Sequence, residues 1–89
     1  MSKTVSITIT GKVQGVFFRK YTKEKADQLG IMGTVSNQPD GSVQITATGT
    51  REQLDEFIKW CHLGSPKSKV ESVDFQMMPF IFFDRFSIK

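Results

Sequence analysis

The chain has 89 residues and a net charge of +3, from twelve Lys and Arg against nine Asp and Glu. That length fits one core between two layers, so 1–89 is expected to be a single domain with any active site at its edge. One cysteine and one histidine exclude an internal disulfide and a multi-Cys/His metal centre, and no apolar run approaches the roughly 20 residues a bilayer requires.

Val5, Ile7 and Ile9 alternate with Thr4, Ser6, Thr8 and Thr10, which predicts a half-buried first strand ending near Gly11. No unbroken apolar segment precedes it, so no secretory signal is expected and the cytoplasm is the default location. Phe18, Thr22, Ala26 and Leu29 then recur at helical spacing, and Gly30 supplies a stop, predicting a helix over 17–29. Ile31, Gly33 and Val35 share one parity, "NQPDGS" carries turn chemistry, and Val43, Ile45 and Ala47 alternate again. The segment reads as a hairpin bending at Pro39 to Gly41.

Thr50 and Gln53 have the spacing of a capping box. Leu54, Phe57, Ile58 and Cys61 form the apolar stripe of a second helix closed by Gly64-Ser65-Pro66, with Trp60 at its margin. Cys61 is expected to be a packed thiol, and His62 a solvated residue on the polar side of the last turn. Val73, Phe75 and Met77 predict a fourth strand, and Phe86 and Ile88 a short one after the turn at Pro79; the facing of Phe80 to Phe83 is not determined by pattern. Strand, helix, strand, strand, helix, strand is the ferredoxin-like α+β plan, with two helices on one face of an antiparallel sheet and a short fifth strand possible.

The first strand-to-helix junction, "TGKVQGVFFRK", carries the chemistry. No Ser, Thr, Asp or Asn occupies the four positions before Phe18, so the helix amides start unclaimed. Gly15 permits unusual backbone angles, and free amides at a helix start form a donor set for an anion. Gly15, Val16, Phe17, Phe18 and Arg19 are a candidate phosphate cradle, with Arg19 offering a planar charged fork. The other reading is a plain bend with Phe17 and Phe18 in the core and Arg19 in solvent. Nucleotide loops are excluded, because neither G-x-x-x-x-G-K-[ST] nor G-x-G-x-x-G is present.

Asn37 continues the parity of Ile31, Gly33 and Val35. It is either a turn residue or a polar group brought near the helix start, the latter expected if the second strand lies beside the first.

"GKVQGVFFR" (11–19) resembles the first signature of the acylphosphatases, and "NQPDGSVQITATG" (37–49) the second, with the resemblance covering essentially the whole chain. It implies a ferredoxin-like enzyme that hydrolyses acyl phosphates to carboxylate and inorganic phosphate without metal or other cofactor. On motif match it implies that Arg19 and the backbone of Gly15 to Phe18 bind the phosphoryl group and that Asn37 positions the attacking water. The chain departs from the family pattern at Thr34, at Gln38, and at Ser65 between Gly64 and Pro66.

The expected partners are therefore a small-molecule acyl phosphate and inorganic phosphate, with no nucleic acid or membrane, and the expected state is a monomer. The alternative from another class is a single-stranded nucleic-acid-binding ferredoxin-like module. Against it, "SVQITATG" turns Gln44, Thr46 and Thr48 outward, with no ring to stack on a base. An accessory domain of a larger carbamoyl-transfer enzyme is a third reading.

Overall fold

A computed structural model describes residues 1–89. Its elements are β1 (Lys3–Lys12), α1 (Phe18–Leu29), β2 (Met32–Asn37), β3 (Val43–Gly49), α2 (Arg51–Leu63), β4 (Lys69–Met78) and β5 (Phe86–Ile88). They build one five-stranded sheet in the order β4-β1-β3-β2-β5.

Alternation decides which face is buried. Val5, Ile7 and Ile9 of β1, Val43, Ile45 and Ala47 of β3, and Val35 of β2 all pack inward with Phe18, Ala26, Leu54, Phe57 and Cys61 from the helices. The opposite face is polar: Thr8 donates to Gln44 Oε1 at 2.7 Å, and Gln44 Nε2 donates to Ser6 Oγ at 2.6 Å. Trp60 joins the two helices at the edge of the core, its ring 5.6 Å from that of Phe18 and 6.4 Å from that of Phe57. Burial pushes the Cys61 thiol up to about 12, which keeps it neutral and inert.

Several details differ from expectation. β2 does not lie beside β1: β3 is inserted between them, pairing antiparallel with both. β1 and β2 therefore run the same way, and their C-terminal ends, Lys12 and Asn37, emerge at one end of the sheet. β5 pairs parallel to β2, so the sheet is mixed, a consequence of the chain crossing from one edge to the other after β4. During that crossing the Ile81 amide donates to Thr4 Oγ1 at 2.9 Å and its carbonyl accepts from Thr48 Oγ1 at 2.8 Å. Phe80 and Phe82 stay exposed on either side of this anchor. Phe75 and Met77 share the inward parity of Val73 but are exposed: on the edge strand β4 they border an open groove beside Leu54 and Ile58 of α2 rather than a closed core.

Candidate active site

The end of the sheet that carries Lys12 and Asn37 is also where α1 starts. Gly15 has φ 74° and Phe17 has φ 60°, both left-handed. For Phe17, the only non-glycine residue with positive φ, this conformation costs about 1–2 kcal/mol. It turns the chain so that α1 begins at Phe18 with no side-chain cap and no acidic residue in its first turn. The amides of Gly15, Val16 and Phe17 have no acceptor within the protein, and the first helical bond is made by Tyr21, whose amide donates to the Phe17 carbonyl. These free donors sit at the positive end of the helix dipole.

The two phenylalanines separate. Phe18 is buried at 2% exposure, as expected, whereas Phe17 is 70% exposed and contributes little to the core. The left-handed backbone at Phe17 is the reason, since it breaks the regular progression that would carry both rings toward the same layer.

Three long-range contacts hold the loop. Gln14 Nε2 donates to the carbonyls of Gln38 and Ser42, both at 2.8 Å, tying the loop to the turn of the β2–β3 hairpin. Ser65 Oγ, buried after α2, donates to the Val16 carbonyl at 3.0 Å. Gly64 closes the back of the loop: a Cβ there would lie 3.1 Å from Phe18 Cε2 and collide with the Ser68 hydroxyl. Sequence pattern assigns no role to Gln14 and reads Ser65 only as part of the helix closure, because both act through contacts distant in the chain.

Gly15, Phe17, Phe18, Arg19 and Asn37 line one cleft of about 310 Å³, together with Val13, Lys20 and Ile88. Val16 faces the other way, buried against the core, so only its backbone serves the loop. Arg19 pairs with no Asp or Glu side chain; its Nη1 donates to the backbone oxygen of Lys89 at 2.8 Å, which orients the guanidinium. Asn37 Oδ1 is buried and has no hydrogen-bond partner, a deficit that costs about 1–3 kcal/mol. No other buried side-chain nitrogen or oxygen is left so.

The cleft thus concentrates positive charge and backbone donors. Arg19 and Lys20 line it, and no Asp, Glu, His or Cys side chain does. Such a lining favours an anion with several acceptor oxygens and supplies no side chain able to take a proton at neutral pH.

A small α+β sandwich with an open helix start of this kind defines an anion-binding class of domain. Comparison with known proteins narrows the class. The acylphosphatase family model matches residues 5–88. An acylphosphatase of Rubrobacter xylanophilus is 44% identical over 78 residues, covering 88% of this chain and 71% of the relative. Solved acylphosphatases from Coxiella burnetii and Bacillus subtilis have TM-scores of 0.96 and 0.95 at 31% and 36% identity. These alignments cover 99% and 100% of this chain and 93% and 99% of the two structures. The chain belongs to the acylphosphatase family and is an enzyme of the hydrolase class.

Proposed function

We propose that residues 1–89 act as one domain that hydrolyses the carboxyl-phosphate bond of small acyl phosphates, with Arg19 and Asn37 as its catalytic side chains and no metal or cofactor. The observation that carries this reading is the convergence, in one cleft without an Asp or Glu side chain, of uncapped amides, the Arg19 guanidinium and Asn37 with its unpartnered Oδ1.

The amides of Gly15 to Phe18 and the Arg19 guanidinium hold the phosphoryl oxygens. Charge on those oxygens rises as the bond to the acyl group stretches, and preorganised donors stabilise that state more than the ground state. A water oxygen attacks phosphorus, the bond from phosphorus to the acyl oxygen breaks, and the bonding pair leaves on a carboxylate whose conjugate acid has a pKa of about 4. So good a leaving group needs no general acid. The proton of the water passes to a phosphate oxygen, so no side-chain base is needed either.

Asn37 holds that water in line through its amide. Nothing in the protein fixes which end of the amide faces inward, since Oδ1 has no donor to keep it there. With Oδ1 toward the cleft, the amide accepts a hydrogen bond from that water.

The nucleic-acid alternative is less well supported. On β1 and β3 the open face presents Ser6, Thr8, Gln44 and Thr46, with Gln44 committed to its neighbours, and Thr48 is covered by Ile81. Steady-state assay with acetyl phosphate beside p-nitrophenyl phosphate, in the presence of a chelator, tests the proposal. Hydrolysis of the acyl phosphate at least about 100-fold faster than the phosphomonoester is expected; hydrolysis of neither, equal use of both, or loss of activity with chelator would overturn it.

A further inference from the structure

The functional reading leaves one feature of the cleft unused, the side chain of Phe17. Its backbone amide is one of the free donors, and the residue, 70% exposed, is among those that line the cleft with Arg19 and Asn37. Folding gains little from a ring in that position, and the core task at this junction is done by Phe18. The position is also unfavourable for phenylalanine, because φ 60° suits glycine or asparagine and penalises a bulky side chain. An aromatic residue that is both strained and exposed at the mouth of an anion cradle has a local cost with no structural return.

The charges say what remains to be bound. Amides and Arg19 account for the phosphoryl group at the floor, so the acyl group must leave over the rim. There the exposed apolar side chains among the lining residues are Phe17 and Ile88, the latter 45% exposed. Both offer carbon surface where the substrate turns from phosphate to acyl.

We propose that Phe17 is a specificity-determining side chain that receives the acyl group and favours aromatic or extended apolar acyl phosphates over short ones. This rests on the reading of the cleft as an acyl-phosphate site. Contact of a substrate ring with Phe17, with Ile88 on the same rim, adds apolar burial and ring-on-ring contact that an acetyl group cannot make. Because the contact lies outside the reacting bonds, it acts mainly through KM.

The experiment compares benzoyl phosphate with acetyl phosphate on the wild type, F17N and F17Y. Asn tolerates the left-handed backbone, so F17N folds with the loop conformation kept while the apolar platform is removed. The expected result is a five- to tenfold fall in the benzoyl-to-acetyl ratio of kcat/KM in F17N, carried by KM, with F17Y within twofold of wild type. Ratios between variants cancel the different intrinsic reactivities of the two substrates. An unchanged ratio in F17N, even with both activities lowered in parallel, would overturn the platform while leaving the acyl-phosphate site standing. Failure of the wild type on both substrates would instead remove the functional reading on which the platform rests.

Discussion

The two helices of this protein begin in opposite ways. At α2, Thr50 accepts from the Gln53 amide at 3.2 Å, Gln53 Oε1 accepts from the Thr50 amide at 2.8 Å, and Glu52 sits in the first turn. That end is closed by its own side chains. At α1 a phenylalanine occupies the cap position, nothing bonds back, and no acid compensates the dipole. The same backbone element is thus finished for stability in one place and left unfinished in the other, and the unfinished end is the one that lines a cleft with Arg19 and Asn37.

Removing the charge from the open end has the largest expected effect. Arg19→Ala is expected to lower kcat/KM for acetyl phosphate by about 10³-fold or more and to abolish competitive inhibition by inorganic phosphate, read by steady-state kinetics. Asn37→Ala comes next, with kcat down by about 10²-fold and the inhibition constant of phosphate within a few-fold of wild type. Loss of phosphate binding in that variant would contradict the division of roles.

Smaller changes address how the open end is held. Ser65→Ala removes a buried donor to the Val16 carbonyl and is expected to cost about 1–2 kcal/mol in urea unfolding, together with a several-fold rise in the phosphate inhibition constant. Thr50→Ala makes both helix starts bare. It is expected to cost about 1 kcal/mol, seen as a Tm lower by several degrees, with kcat/KM unchanged, and a change in kcat/KM would mean that the two ends are not independent.

The smallest effect is in the hairpin beside the site. Hydrogen bonds from the Ser42 hydroxyl and then its amide hold the Asp40 carboxyl below its ordinary value of 3.8. The folded-state pKa is depressed, so this contribution is present above pH 3.8 and fades as the pH falls through the lower folded value. Asp40→Asn is expected to flatten the acid limb of the stability profile slightly and leave neutral-pH activity alone.

What the sequence made legible follows the range of the interactions. β1, β3 and the capping box of α2 are written in neighbouring residues, by alternation in the strands and by a three-residue spacing in Thr50 and Gln53. The uncapped start of α1 is legible for the same reason, as a local absence. The position of β3 between β1 and β2 is not, because strand order depends on pairings such as Ile7 with Ile45 that no local window contains. The outward turn of Phe17 was hidden by a single dihedral angle, since periodicity assumes a regular backbone. Phe75 and Met77 have a legible parity but not a legible exposure, which follows from the edge position of β4 and the open groove between it and α2. Gln14 and Ser65 act across 24 or more residues, on hairpin and loop carbonyls that leave no pattern in the chain.

The interior strand β1 pairs with β3 at Ile7 to Ile45 and with β4 at Ile7 to Phe75, so both partners lie far along the chain. Loops of that length must close before either pairing contributes, which slows folding relative to a helical protein of this size. The cleft draws on Gly15, Asn37 and Ile88, which are brought together by the β1–β3, β3–β2 and β2–β5 pairings. With the cleft as the catalytic site, activity is expected to return after dilution from denaturant only as the sheet is completed, later than the helical signal in circular dichroism.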